Sequence, residues 1–395
     1  MKVIEKLQKT GWEALIVGGA VRDLALKISP KDFDVVTNAK PEEIKKIFNK
    51  CRVIGKRFKL VHVYLYGEIV EVSTFRSTSL VNASLDSSGR ILKDNNFGSQ
   101  DEDALRRDLT VNALYYDPIK EIIYDYHNGL NDIKDKIIRI IGDPKKRFKE
   151  DPIRMIRIIR FASKLGFEID SSIKDTIKIN SILIKNVPKA RIAEDFSKLI
   201  LSGHSIEGFK MLFDYNLCKH IFPNTISLFI DFRESLNSDK KNLFKIALVN
   251  ADKRSVENKP ISIGLIFATL LWKPLQSNLF QLSKNNKFEY LALQTAIKLT
   301  INKYGHDFFF QKKHLAIIKE VWLLQNRFKK FNGKFPYRLI KNKKFNIALR
   351  FLKLRAEFGE VSHSLPIWWE RFLISTPSEK TKLLQKENIK VIVNE

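Results

Sequence analysis

Cysteine is nearly absent. Cys51 and Cys218 are the only two in 395 residues, and they stand far apart with no CxxC spacing. That excludes a disulfide scaffold and a cysteine zinc site, and it fits a reducing compartment. Long hydrophobic runs are also missing. The longest apolar stretch, Ile261 to Trp272, falls short of the ~20 residues a membrane-spanning helix needs. The opening residues MKVIEKLQKTGWE contain no apolar core of a secretory signal. Histidine is scarce at seven, and His306-Asp307 stands alone, which argues against a His-Asp phosphohydrolase domain. No fixed-period repeat occurs. These absences together predict a cytoplasmic protein with no membrane association.

What is present points to a folded, multidomain chain. Apolar residues make up 44% and phenylalanine alone numbers 28, which excludes disorder. The length exceeds the ~250–300 residues at which single cores stop growing, so two or three domains are expected. Acidic residues are in deficit, 44 against 70 Lys+Arg, a net charge of +26. A polyanion is the default partner of such a surface. The surplus is uneven. Residues 1–145 carry 24 basic and 21 acidic side chains, whereas 303–355 carry 15 and 2. Half the excess therefore lies in about an eighth of the chain. Phe308, Phe309, Phe310, Trp322, Phe328, Phe331, Phe335 and Tyr337 interleave with those cations, most simply as helix core.

The first ~75 residues mix strand and helix signals. Residues 13–17 and 33–37 read as strands, 60–66 and 68–75 as a pair around Gly67, and AVRDLALK as a helix. A second helix spans 41–50, where Pro41 suits the first position and two glutamates complement the helix dipole. Residues 77–104 are polar and weakly periodic and read as a mobile loop. From about 146 the segments are long and helix-periodic. The expected architecture is α+β: a small head with a mixed sheet over 1–145, a helical neck over 146–215 and a helical, basic body over 216–395.

Four features carry chemistry. Gly18-Gly19 at a strand-to-helix junction allow close backbone approach, and Arg22 follows one turn later, a phosphate cradle. In Asp32-Phe33-Asp34, residues i and i+2 share a strand face, with Phe33 and Val35 directed to the core. Two like charges side by side call for a cation, and hard oxygens suit Mg²⁺. A third carboxylate should complete the site, from Asp108 in Arg106-Arg107-Asp108 or from Glu71. Asp108 is favoured because its arginine neighbours are ready triphosphate partners. Finally, Asp151 reads as an N-cap before Pro152, and Arg154, Arg157 and Arg160 form a stripe on one helix face. A carboxylate and a guanidinium there can read a base edge.

These elements run in the order of a known family. GGAVRD (18–23), DFD (32–34), EVSTFR (71–76), RRDLTVNALYYD (106–117), DYHNGLNDI (125–133) and EDPIRMIRIIRFASKLGF (150–167) resemble the class II tRNA nucleotidyltransferase and bacterial poly(A) polymerase family, within the polymerase-β-like nucleotidyltransferases. The resemblance implies a polymerase-β-like head and a nucleotidyltransferase that adds AMP from ATP to RNA 3′ ends. It implies a two-metal Mg²⁺ site, with Mn²⁺ as a substitute, held by Asp32 and Asp34. Asp108 matches a residue catalytic in poly(A) polymerases. Gly18, Gly19, Arg22, Arg107 and Asn112 match nucleotide contacts, Asp151 and Arg154 the pair selecting the incoming base, and Arg157 and Arg160 further contacts. GKRFKLVHV (55–63) is similar to the poly(A) polymerase branch rather than the CCA-adding one, which stays as the alternative. A non-catalytic RNA-binding protein is the second alternative. RNA-decay factors are implied partners and a monomer is expected.

Overall fold

The computed structural model describes all residues except 56–58, 79–83, 86–90, 94–95, 284–288, 306, 308–310 and 394–395. The chain forms two compact units. The first comprises Met1–Pro188 and Tyr215–Leu217, the second Lys189–Asp214 and Cys218–Glu395. Segment 146–188 thus packs within the first unit and Lys189–Asp214 within the second.

In the first unit the helices α1 (Lys2–Lys9), α2 (Gly19–Ala25), α3 (Pro41–Ile47) and α4 (Gln100–Arg106) alternate with strands. The strands are β1 (Ala14–Val17), β2 (Asp34–Thr37), β3 (Cys51–Ile54), β4 (Leu60–Leu65), β5 (Glu68–Thr74), β6 (Ser84–Leu85), β7 (Ile91–Lys93), β8 (Leu114–Asp117) and β9 (Ile122–Asp125). Seven make one sheet in the order β3-β4-β5-β2-β1-β8-β9, while β6 and β7 pair with each other. All neighbours in the large sheet are antiparallel except β2 and β5. The strands β1, β2, β4 and β5 and the helices α2 and α3 match the sequence reading. β3, β8 and β9 are additional strands that the sequence reading did not include.

One face of this sheet explains where the site lies. Leu15 and Val17 of β1, Val36 of β2, Tyr115 of β8, Phe75 and Ala104 form a buried cluster. The ladder register continues this face through Val17↔Asp34, Asp34↔Glu71 and Glu71↔His62. Partners in register share a face, so apolar packing gives way to acidic side chains where β1 runs into Gly18. β1 ends there, so residues 32 and 33 have no ladder partner on it. Strand β2 therefore begins at Asp34, and Phe33 is 44% exposed rather than in the core. Val35 is buried as expected.

The polar stretch 77–104 is not loop to its end. Its last residues start α4, announced by a capping box in which Ser99 N–H donates to Glu102 Oε2 at 3.0 Å. Helices α5 (Gly129–Asp135), α6 (Pro144–Glu150) and α7 (Ile153–Leu165) complete the site's support. Asp143 caps α6 by accepting from Lys146 N–H at 3.0 Å.

The second unit is helical throughout its described residues. Its phenylalanines form an aromatic core: Phe196–Phe209, Phe209–Phe232 and Phe229–Phe244 ring centroids lie 5.4, 5.6 and 5.8 Å apart, mostly edge to face. Trp322 and Phe328, from the basic stretch, are fully buried. Trp322 Nε1 donates to the Ala268 carbonyl and Trp369 Nε1 to that of Phe328. Phe308, Phe309 and Phe310 lie outside the described residues. Among the described residues, no helix is long and apolar enough to cross a membrane.

Candidate active site

The glycine turn forms as the sequence suggests. Gly18 has φ +75°, a conformation side-chain-bearing residues rarely adopt, and it precedes α2. A Cβ on Gly18 would lie 3.6 Å from Arg107 Nη1 and 3.6 Å from the Asn112 carbonyl. A Cβ on Gly19 would lie 3.5 Å from Arg22 Nη2. Two guanidiniums therefore flank the turn. Arg22 is buried; its Nε and Nη2 donate to Asp23 Oδ1 at 2.9 and 2.6 Å, and Nη1 donates to Asn112 Oδ1 at 2.5 Å.

Arg107 is held by two residues to which the motifs assigned no role, Asp103 and Tyr115. Its Nη2 and Nε donate to Asp103 Oδ2 at 2.9 and 3.2 Å, and Nε also donates to Tyr115 Oη at 2.9 Å. Tyr115 Oη in turn donates to Asp103 Oδ2 at 2.7 Å. Burial disfavours the Arg107 charge, but Asp103 and Tyr115 outweigh it and hold the guanidinium above its ordinary range. Burial also pushes the Tyr115 phenol well up, keeping it protonated as a donor. The i,i+4 spacing of Asp103 and Arg107 on α4 was the available signal. Asp103→Asn is expected to raise the KM for nucleotide about tenfold, the scale of one charge-assisted hydrogen bond, with the KM for the other substrate unchanged. Steady-state kinetics varying each substrate separately check this.

The acidic side of the site is built around Asp34. Burial first, then the Glu71 carboxylate, raise the Asp34 carboxyl above its ordinary range; Arg107 opposes and Asp32 adds a smaller push. Glu71 also faces His62, whose Nε2 lies 3.2 Å from Glu71 Oε1. Of the stretch 55–63, residues 56–58 lie outside the described residues.

Asp108 sits elsewhere. Its Oδ1 accepts from Arg154 Nε at 2.7 Å and its Oδ2 from Arg157 Nη1 at 2.5 Å. Burial disfavours its charge, but Arg154 and then Arg157 outweigh that and hold the carboxyl far below its ordinary value. Backbone geometry explains the separation from Asp34. Arg107 is extended (φ −66°, ψ 160°), and successive extended residues point to opposite sides. Arg107 faces the glycine turn while Asp108 faces α7. The carboxylate beside Asp34 and Asp32 is therefore Glu71, the less favoured candidate.

The arginine stripe of α7 also has occupants. Arg154 Nη1 donates to the Arg147 carbonyl at 2.7 Å and to Glu150 Oε2 at 3.2 Å. Arg147 Nη2 donates to the carbonyls of Arg106 and Arg107 at 2.8 and 2.7 Å. Asp151 is buried and stands at the C-terminal end of α6, with Pro152 at the N-cap of α7; the Asp151 carbonyl accepts from Arg154 N–H. Arg160 stacks over Phe161 at 4.5 Å, and Arg22 over the same ring at 5.3 Å.

Two carboxylates, a flanking third and a glycine turn flanked by guanidiniums suit a nucleotide carrying a divalent ion. Among the described residues no three His, Cys, Asp or Glu side chains already converge as a metal cage.

Comparisons with known proteins match three segments of the chain. Residues 14–139 match the family model for the poly A polymerase head domain, 166–228 that for a probable RNA and SrmB-binding site of polymerase A, and 285–391 that for the polymerase A arginine-rich C-terminus. Poly(A) polymerase I of Escherichia coli O157:H7 is 36% identical over 395 residues, covering 98% of this chain and 84% of the relative. The CCA-adding enzyme of Lactobacillus helveticus is 39% identical over 221 residues, 56% of this chain and 54% of the relative. The Bacillus stearothermophilus CCA-adding enzyme in complex with CTP shares the fold, with a TM-score of 0.63 at 24% identity over 94% of this chain and 80% of that one.

Proposed function

Because the chain belongs to the family of bacterial poly(A) polymerases and tRNA nucleotidyltransferases, and is a nucleotidyltransferase, we propose that it extends RNA 3′ ends with AMP taken from ATP. The observation carrying this reading is the extent of the similarity. It spans 98% of the chain for poly(A) polymerase I but 56% for the CCA-adding enzyme.

The triphosphate lies against the Gly18-Gly19 turn, where backbone approach is open and Arg22 and Arg107 neutralise charge. Asp103 and Tyr115 keep Arg107 aimed at it. Asp32 and Asp34, flanked by Glu71, hold divalent ions. When bound, those ions supply Lewis acidity that activates the RNA 3′-hydroxyl and neutralises the leaving group. The 3′-oxygen bonds to the α-phosphorus and the bond to the β-bridging oxygen breaks. Pyrophosphate leaves with the electron pair, and the hydroxyl proton passes to solvent. Asp108 acts as a positioning residue: by binding Arg154 and Arg157 it sets the face of α7 that selects the base, together with Asp151. Asn112 plays the same part for Arg22. The basic stretch 303–355 grips the RNA backbone, so binding weakens steeply with salt. The expected setting is cytoplasmic, on RNAs handed to decay factors, with the protein acting as a monomer.

The test is incorporation of each labelled nucleotide, with Mg²⁺, onto an unstructured RNA and onto a truncated tRNA. Long ladders with ATP alone are expected. Limited addition of C and then A to the tRNA only would move the chain to the CCA-adding branch, and no incorporation would leave an RNA-binding protein. In the same assay Arg154→Ala is expected to relax the preference for ATP over CTP about tenfold, the scale of one base-reading contact.

A further inference from the structure

The row of the sheet that holds Asp34 continues past the carboxylates. In ladder register Asp34 stands opposite Glu71, Glu71 opposite His62, and His62 opposite Arg52. Partners in register share a face, so these four side chains form a line across β2, β5, β4 and β3. Neighbouring strands lie about 4.8 Å apart, which puts the Arg52 backbone roughly 14 Å from that of Asp34. Charge changes sign along the line. Two carboxylates come first, then His62, whose Nε2 lies 3.2 Å from Glu71 Oε1, and last a guanidinium. Arg52 is exposed and, among the described residues, its side chain makes no hydrogen bond or ion pair. Tyr64 shares the face of His62, two residues away on β4, and is a diagonal neighbour of Arg52 across the ladder. Its own partner in register is Ile69. Tyr64 is 41% exposed and Ile69 54%, and no ring or cation among the described residues covers the tyrosine. The reverse face of β4 and β5 is core, with Val61, Val63 and Val72 buried. The face above the carboxylates is therefore an open platform, with an aromatic ring and an aliphatic side chain beside an unpaired arginine.

What this platform receives follows from the other side of Asp34. There β1 runs into the glycine turn, which Arg22 and Arg107 flank. In the proposed reaction that side holds the triphosphate. Phosphoryl transfer runs in line, with the attacking oxygen and the leaving pyrophosphate on opposite sides of the α-phosphorus. With the leaving group beside β1, the 3′-hydroxyl has to arrive over β5, β4 and β3. The row matches the end of an RNA strand: a hydroxyl at the carboxylates, a phosphate at the arginine and a base on the ring. We infer that the β5-β4-β3 face seats the 3′ end of the RNA primer, with Tyr64 stacking on a base and Arg52 binding a phosphate next to the terminal nucleotide. This rests on the nucleotidyltransferase reading of the site.

The experiment uses the full chain and a short RNA oligonucleotide carrying 2-aminopurine as its penultimate base. Tyr64→Ala and Arg52→Ala are each expected to raise the KM for this primer about tenfold, the scale of one stacked base or one charge-assisted contact. The KM for ATP and the preference for ATP over CTP stay at wild-type values. Arg52→Ala also flattens the dependence of log primer affinity on log salt by about 0.7, the share of one single-strand phosphate, and Arg52→Lys restores it. Quenching of the 2-aminopurine on binding is lost in Tyr64→Ala and kept in Tyr64→Phe, which retains the ring. Wild-type primer KM and quenching in both alanine variants overturn the inference. So does a rise in the KM for ATP with the primer KM unchanged, which assigns the face to the nucleotide. A wild type that binds and quenches the primer but transfers no AMP refutes the catalytic reading instead, while the fluorescence and salt measurements still test the platform.

Discussion

Replacing Asp34 by asparagine is expected to lower AMP transfer by at least ~10³-fold while leaving the fold intact. Losing a single preorganised electrostatic contact costs roughly 10²–10³ in rate, and in the proposed site Asp34 would support a doubly charged ion at the reacting phosphate. The structure adds a second, opposite expectation. In the metal-free protein, burial and the Glu71 carboxylate disfavour ionised Asp34. Its raised value means that its ionisation costs stability as pH rises through it, so a neutral asparagine is tolerated or stabilising at pH 7. A melting temperature at or above wild type, together with lost turnover and unchanged RNA binding, is the expected combination. Transfer retained with Mg²⁺ sinks the metal-site assignment, and a fall in melting temperature shows that Asp34 is structural.

Asp108→Asn is expected to fail differently. Both carboxylate oxygens bind arginines of α7, at 2.7 and 2.5 Å. The asparagine amide presents donors to a guanidinium and leaves two partly buried cations without their counter-charge. Breaking a buried pair costs ~3–5 kcal/mol, and the partial exposure here reduces that to roughly 2–3 kcal/mol. The sign with pH is definite. A carboxyl held below its ordinary 3.8 contributes stability at neutral pH, and that contribution is lost as pH falls below about 4. Wild type should therefore lose stability more steeply than Asp108→Asn below pH 4, in urea melts at a series of pH values. Activity falls through α7, so the residual activity keeps the wild-type Mg²⁺ requirement. A changed Mg²⁺ requirement would place Asp108 at the metal after all.

Much of the site was legible because its chemistry is local. The Gly18-Gly19 turn, Arg22 one turn later, and the strand carrying Asp34 depend on residues within a few positions of each other. The arginine stripe of α7 followed from helical spacing in the same way. The errors came from non-local geometry. Asp32-Phe33-Asp34 reads as one strand, but β1 ends at Gly18 and leaves Phe33 with no ladder to join. Asp151 and Pro152 read as a helix start, and α7 does begin there, with Pro152 rather than Asp151 at its N-cap. The capping box Ser99–Glu102 was present in the sequence and went unread within a polar stretch.

Composition and order of motifs established the α+β head, the helical remainder and the family, because periodicity and turn chemistry act over short distances. The choice between Asp108 and Glu71 had another origin. Both carboxylates had plausible neighbours along the chain. The parallel pairing of β2 with β5 puts Glu71 opposite Asp34, and the extended backbone at Arg107 turns Asp108 toward α7. Register and side-chain direction are set by long-range pairing, so residues adjacent in sequence can serve separate sites. Tyr115 owes its proposed role to the same cause: it reaches Arg107 from β8, a separate element at the same end of the sheet.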